Sequence, residues 1–421
     1  MNQKSVRSGM SGQVGEPRCA WLGLDRVRLY SGVVLLLFIV LMGTWAWYSD
    51  GFTDRNVSRP SADFSVFWSA SYLALSEGAV HAYDLGKHTQ VMAAYGPLAP
   101  GRDVVLPWLY PPTFLLAVLP LALLPLAFSY VLFVAGSGYA YLRTVLVLLG
   151  PEAERHRGLW LPVVASPAVL ISVILGQNSM LTAALAGAAV SQLGKRPVLA
   201  GVLAGLLAIK PQLALLVPVA LVAGRHGRTL LSAAITAMLF TALSVALCGW
   251  ETIPAFLRSA AWARENLMEG TPHAWYGMPS VLAAAQVAGL GPSAAYGVQG
   301  GMALAAAAAV AYVWSHSRDV PVRAAVLAAA ALLATPYVRH YELTWMGVAV
   351  AGLVADGVRY GLSGRERLLC VVAWLLPLFE CANPLIGLPQ IGPAISMLLV
   401  VAAVRRVKAR RTLVAPAALG A

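Results

Sequence analysis

Residues Tyr30 to Tyr48 form a run of nineteen side chains without one charge, and that run decides which solvent the chain is built for. Wound as a helix at about 1.5 Å per residue it matches the roughly 30 Å of a bilayer's hydrocarbon core. Trp45, Trp47 and Tyr48 close it, where an aromatic belt would meet the membrane surface. The basic residues up to Arg28 give the segment a superficial likeness to a signal peptide, but no small-residue cleavage site follows. It reads as a retained first transmembrane helix with its N-terminus in the cytoplasm.

Further apolar runs repeat along the chain, and the composition agrees: 59% hydrophobic, 11% charged, mean hydropathy +0.72 over 421 residues. The fold class that follows is an all-α polytopic membrane protein. A soluble domain would need a polar stretch of about 50 residues or more. The longest weakly apolar stretch, Asp50 to Pro107, is of that order and reads as an outer loop belonging to the membrane body. A formal net charge of +12 would point to nucleic acid in a soluble protein. Here lysine and arginine fall in short connections, so topology explains them and no nucleic-acid partner is expected. Cys19, Cys248, Cys370 and Cys381 lack CxxC or zinc spacing, which argues against a disulfide framework or a metal site.

Three regions are expected: a basic cytoplasmic tail over residues 1–29, a transmembrane body over 30–404, and a basic cytoplasmic tail over 405–421 containing Arg405 to Arg411. Outer loops are placed at about 50–110 and 250–279. Phe64, Phe67, Trp68, Tyr72, Leu73 and Leu75 recur at near-helical spacing with serines between them, the pattern of a helix lying along the interface. Ile253, Phe256, Leu257, Ala260, Ala261 and Leu267 suggest another. The forty residues from Trp108, punctuated by Pro111, Pro112, Pro120 and Pro125, fit either two crossings or a re-entrant piece followed by one. Placing Arg143, Arg155 and Arg157 inside favours the second. Runs near 159–175, 178–192, 198–209 and 213–222 are too short to span straight, so broken helices or a single helix kinked at Lys210 are both open; 281–290 stays unassigned. Later crossings are expected at Ser293–Trp314, Val322–Thr335, Tyr341–Val354, Leu368–Phe379 and Pro389–Val404. The count is about 11–13 transmembrane or half-transmembrane helices, with both termini inside.

Burying a charge at membrane depth costs about 2.5–3.5 kcal/mol even on a lenient scale, so ionisable or multiply polar spots inside apolar runs are candidates for function. Four stand out: Asp63, Gln177–Asn178, Lys210, and Arg339-His340-Glu342 in "TPYVRHYEL". Asp63 opens an aromatic segment and suits a general base, or else it caps the helix that follows. The amides of Gln177 and Asn178 suit a hydroxyl-rich ligand, or else they satisfy backbone freed at a helix break. Lys210 lies far from any hydropathic end, so an anionic partner, most naturally a phosphate, is expected for it. Arg339 and His340 extend that to a phosphate-binding cluster, the alternative being ordinary loop charges with Arg339 paired to Glu342. Tyr110, in "YPP", is a rigid entry to a helix that also faces a ligand in this reading. No nucleotide-binding loop, metalloprotease motif or serine-hydrolase elbow occurs.

Taken in order, "ADFSVFWSA", "YPP" with "PLALLP", "GQNS", "IKPQ" and "TPYVRHYEL" resemble glycosyltransferase family 87, within the GT-C superfamily of membrane glycosyltransferases, from about Tyr30 to Val404. The resemblance implies a GT-C-like helical bundle. It implies inverting transfer of a hexose, usually mannose, from a polyprenyl-phosphate donor to a glycan or glycolipid acceptor at the outer face of the plasma membrane, with no metal or other cofactor. It also implies Asp63 as the base and His340 near the donor phosphate, beside Lys210 and Arg339. Tyr110, Gln177, Asn178, Gln212, Tyr341 and Glu342 complete the expected substrate-binding set; Glu342 stands where the family commonly has aspartate. The competing class is a transporter or flippase for a lipid-linked sugar, although no repeat relates the two halves. A scaffold subunit is a third reading.

Overall fold

A computed structural model describes residues 23–54, 56–97, 106–151, 158–270 and 272–414. Expectations resting on Cys19, Arg155 and Arg157, and on the two terminal segments 1–22 and 415–421, lie outside the described residues.

Every regular element among the described residues is helical. Helix α1 (Leu24–Tyr48) leads into α2 (Ala62–Ser76), a 3-10 turn (Ala79–Tyr83) and α3 (Leu85–Tyr95). Short α4 (Pro112–Val118) and a 3-10 turn (Leu119–Leu123) precede the long α5 (Leu126–Leu149), so one short piece and one crossing occupy that stretch. Then come α6 (Trp160–Val164), α7 (Pro167–Leu175), α8 (Ser179–Gln192), α9 (Pro197–Gly205), α10 (Pro211–Ala214) and α11 (Val217–Ala223). Pro112, Pro167, Pro197 and Pro211 each occupy the first position of their helix. There the missing N–H costs nothing and the fixed φ is already helical, which is why these segments begin where they do. The chain continues with α12 (Gly227–Cys248) and α13 (Thr252–Ala263), then α14 (Pro272–Trp275) and α15 (Val281–Val287). It ends with α16 (Pro292–His316), α17 (Val320–Ala334), α18 (Thr344–Tyr360), α19 (Gly364–Ile386) and α20 (Gly392–Val414).

Five of these, α1, α5, α12, α16 and α19, are long and apolar enough to cross a membrane. In α1 and α12 only 6% of the apolar window is buried, and Leu37, Leu231, Met238 and Leu239 stand open. Apolar surface so extensive is tolerated where lipid, not water, covers it. Helix α17 is the converse. Its residues from Pro321 to Ala334 are buried on every side, as expected of a helix that is apolar all round. It packs against α16, α18 and α20. The protein is a multi-pass helical membrane protein with α17 at its centre.

Close packing of α9 on α12 depends on Gly201 and Gly205, one turn apart on the contacting face. A Cβ on Gly201 would lie 2.5 Å from the Thr229 carbonyl oxygen, and one on Gly205 2.6 Å from that of Ala233. Small residues at this spacing let two backbones approach where no water is available to drive association. Ser232 then donates to the Val198 carbonyl at 2.9 Å.

Two elements depart from the sequence reading. The body of helix α2 is enclosed by protein, not half-exposed as an amphipathic surface helix would be: Phe64, Phe67, Ala70 and Leu73 are fully buried, and so are Ser65, Ser69 and Ser71 on its other side. The serines find carbonyls there, Ser65 that of Ala62 and Ser71 that of Leu119. The basic run Arg405 to Arg411 is likewise no detached tail, because it continues α20. Arg406 bonds Asp356 at 2.7 Å and Glu366 at 2.8 Å, while Arg410 pairs with Asp319 at 2.6 Å and with Asp356. This pins the last helix to the ends of α17, α18 and α19.

Candidate active site

The polar centre forms where the N-terminus of α2 meets the break between α7 and α8. Gly176 ends α7 in the left-handed region at φ 73°, and a Cβ there would run into Phe64 and lie 3.1 Å from the Tyr130 ring. Only glycine meets both demands. The break lets Ser61 donate its N–H to the Ile174 carbonyl at 2.7 Å, which docks the start of α2 on the end of α7. Gln177 and Asn178 are thereby turned inward, both buried.

From these two amides a connected chain of side chains runs outward. Gln177 donates through Nε2 to Asp63 Oδ2 at 2.8 Å. Its Oε1 lies 3.3 Å from the Tyr110 hydroxyl and 3.3 Å from the Asn178 N–H, both of which donate to it. Asn178 Oδ1 accepts from Lys210 Nζ at 3.1 Å. Lys210 Nζ stands 2.6 Å from Glu342 Oε1, an ionic contact off the line of a good hydrogen bond. The other Glu342 oxygen accepts the Arg339 backbone N–H at 2.9 Å. Lys210 also lies 5.5 Å from the Tyr110 ring centre and 5.6 Å from that of Tyr341, within cation–π range. Two amides thus tie together residues spread from Asp63 to Glu342.

The alternatives weighed on the sequence resolve differently from one residue to the next. Asp63 is not a helix cap: α2 has no side-chain cap, and the carboxylate reaches Gln177 instead. The amides at the helix break bond one another's neighbours, not only freed backbone. Lys210 has an anion within the chain, Glu342, as a buried lysine requires. Glu342 pairs with Lys210 and meets Arg339 only at the backbone, since the 3-10 turn His340–Leu343 aims the carboxylate back at its own N-terminus. Gln212 is held by its main chain, its carbonyl accepting from Thr335 at 3.0 Å. His340 stands outside the hydrogen-bonded chain, packed against Tyr341 and bonded to the backbone of Gly277.

The electrostatics follow from burial. Desolvation raises the Asp63 pKa above its ordinary 3.8, against the lowering effects of the Gln177 hydrogen bond and of the Arg339 and Lys210 charges. His340 is pushed down to about 3, first by burial and then by the Arg339 charge, so its ring is neutral near pH 7. Its Nδ1 is buried without a partner, as is Asn178 Nδ2. Arg339 is only half-buried, and its guanidinium makes no hydrogen bond or ion pair among the described residues. A cation left open beside a carboxylate and two tyrosine rings, Tyr337 and Tyr341, is equipped to take an anionic ligand.

Sequence reasoning missed Tyr337 and Glu380. Tyr337 shares the surroundings of Arg339, Glu342, Lys210 and Asp63, and its signal was the run of aromatics in "TPYVRHYEL". Glu380 escaped because the apolar run was ended at Phe379, whereas α19 continues to Ile386 and encloses the carboxylate completely. Its Oε1 accepts from the Gly392 N–H at 2.8 Å. Nearby, Asn383 donates to the Tyr276 carbonyl at 3.2 Å and Gln390 to that of Trp275. These contacts hold the segment that carries Gly277 against Arg339 and His340. Among the described residues no group of three or more His, Cys, Asp or Glu side chains is placed to hold a metal ion.

A multi-pass helical bundle whose short, broken helices bring a carboxylate, two amides and two cations to one buried centre has the makings of a membrane-embedded transferase. The sequence profile of glycosyltransferase family 87 matches residues 108–336, more than half of the chain, and the chain belongs to that family. No curated protein and no solved structure matches it. The matched region holds Tyr110, Gln177, Asn178, Lys210 and Gln212, while Asp63 and the Arg339–Glu342 segment lie outside it. The protein is therefore a membrane glycosyltransferase.

Proposed function

We propose that the protein transfers a hexose, with mannose as the expected sugar, from a polyprenyl-phosphate carrier to a hydroxyl of an envelope glycan or glycolipid. In this reading 30–404 is the catalytic body, set in the plasma membrane with both termini in the cytoplasm and the site facing the periplasm or exterior. The acceptor oxygen attacks the anomeric carbon from the face opposite the phosphate, inverting it. The bond between that carbon and the phosphate oxygen breaks, the electron pair leaves with the lipid phosphate, and the acceptor proton passes to the Asp63 carboxylate. Arg339 receives the charge that develops on the phosphate, with His340 beside it as a neutral ring. Lys210, neutralised by Glu342, supports the site's geometry and field. Gln177 and Asn178 orient Asp63 and Lys210, and Tyr110, Tyr341 and Gln212 bound the sugar. The proposed mechanism needs neither a metal nor another cofactor.

The observation that carries the reading is the pairing of a half-buried carboxylate, Asp63, with an unpaired guanidinium, Arg339, close enough for its charge to act on it. An acid–base group and an anion receptor are what transfer from a lipid phosphate requires of a protein. The test is label transfer in proteoliposomes from polyprenyl-phosphate-hexose to an acceptor glycan. Wild type should transfer and Asp63→Ala should not; persistent transfer by a folded Asp63→Ala protein removes Asp63 as the base.

A further inference from the structure

Outside the polar centre, between the 3-10 turn Ala79–Tyr83 and helix α13, lies a groove of about 410 Å3. That volume falls within the roughly 300–1,000 Å3 of small-molecule sites. Its chemistry is mixed. Trp262 and Tyr83 contribute half-buried rings, Asp84 and Arg258 opposite charges, and His81 and Ser259 further hydrogen-bonding groups. Ala255, Arg258, Ser259 and Trp262 recur at helical spacing, so one face of α13 is turned into the groove. Asp84 uses one oxygen to cap α3 through the Lys87 N–H at 3.0 Å, which fixes the carboxylate at the rim.

The groove and the polar centre share a wall. Tyr83 donates its hydroxyl to the Tyr110 carbonyl at 3.0 Å, and Ser259 donates to the Trp108 carbonyl at 2.6 Å. From the other side the Tyr110 hydroxyl donates to Gln177, the residue that holds Asp63. Tyr110 is thus bonded from both compartments. Whatever occupies the groove is linked to Asp63, the group proposed as the base, through Tyr110 and Gln177.

We propose that this groove is a distal acceptor subsite that binds a neutral saccharide unit of an extended acceptor, a proposal that rests on the transferase reading above. Pyranose rings present an apolar C–H face and a rim of hydroxyls. Trp262 and Tyr83 supply planar apolar surfaces for the face, and Asp84 with Arg258 supplies acceptors and donors for the rim. The presence of both charge signs argues against an anionic ligand, which Asp84 would repel. The groove holds the body of the acceptor while its terminal hydroxyl extends past Tyr110 to Asp63.

The test uses the full chain in nanodiscs, first without donor. Saturation-transfer NMR is recorded with mannotetraose, maltotetraose and cellotetraose. At least one should give a binding signal that Trp262→Ala abolishes and Arg258→Ala weakens about tenfold or more. Arg258 is exposed, so its variant reports even if Trp262→Ala fails to fold. Binding by none of the three, or equal binding by wild type and both variants, overturns the proposal. Transfer kinetics with donor then separate it from the catalytic reading. Arg258→Ala should raise KM for a tetrasaccharide acceptor about tenfold while leaving KM for a disaccharide and kcat unchanged. Saccharide binding that survives in a wild type showing no transfer would sink the transferase mechanism and leave the groove standing. Transfer with unchanged KM in both groove variants would do the reverse.

Discussion

The molecule holds two charge clusters that differ in how completely their members are matched. At the C-terminal end of α20, Arg406 bonds Asp356, both oxygens of Glu366 and the Gly361 carbonyl, and Arg410 spans Asp319 and Asp356 with Tyr360 stacked 3.9 Å away. Asp356, 1% exposed, has both oxygens engaged. The cluster around Asp63 leaves Arg339 open, Asn178 Nδ2 and His340 Nδ1 without partners, and Lys210 and Glu342 in ionic contact without alignment. Gly392, near the polar centre, and Arg406 sit fourteen residues apart on α20, about 20 Å. A saturated network closes on itself and holds helices together. An unsaturated one keeps donors and charge for something that arrives later, and buried polar groups left unmatched cost free energy that a purely structural cluster would not carry.

The largest expected difference is in rate. Asp63→Asn should lower transfer by about 100- to 10,000-fold, the range for a general base, with the melting temperature held or raised because desolvation penalises the carboxylate and not the amide that replaces it. Loss of fold comparable to that of an Arg406 variant would show Asp63 to be another structural charge and erase the distinction. Next come the ion pairs themselves. Arg406→Met leaves buried Asp356 with Arg410 alone and takes Glu366's partner away, and should cost about 3 kcal/mol in stability, measured by thermal melting in detergent, with transfer retained below the new melting point. Lys210→Met strands Glu342 and should cost a similar amount. Adding Glu342→Gln should restore stability to the Lys210 variant without restoring transfer; full recovery of both would make Lys210 merely structural.

Arg339→Gln sharpens the comparison further, since its guanidinium has no bond to lose. Its melting temperature should match wild type while KM for the lipid-phosphate donor rises about 10- to 100-fold, the worth of a hydrogen bond to a charged group. A large drop in stability with KM unchanged would count against the anion receptor. The smallest effect is on pH dependence. Because burial raises the Asp63 pKa, the base is protonated at low pH, and transfer should climb with pH along an acid limb centred above 3.8. His340, pushed down to about 3, should add no limb near neutrality. Its effect falls on stability: the unfolded ring, at an ordinary 6.5, binds protons that the folded ring refuses, so stability is full above pH 6.5 and declines as pH falls toward 3. An activity limb near pH 6.5 that disappears in His340→Gln would reverse that assignment.

Much of the frame was legible because a bilayer punishes polar backbone and charge so heavily that apolar runs and their proline starts mark the helices. Tyr30 to Tyr48 announces α1, and the breaks at "GQN" and "KPQ" are where α7 and α9 give way to new helices. The rarity of charge inside such runs also picked out Asp63, Lys210 and Glu342 one by one. Pairing was not legible, because it depends on which helix ends meet. Nothing local tells Lys210 to choose Glu342, 132 residues away, or sends Asp63 to Gln177 in place of its own helix N-terminus. Likewise the serines of α2 read as a wetted face, and only packing shows carbonyls waiting for them. The sequence alone determined a helical membrane protein with a few charges too expensive to be accidental. The tertiary structure decided which of those charges cancel and which stay open, because cancellation needs a partner within about 4 Å and chain order does not specify distance.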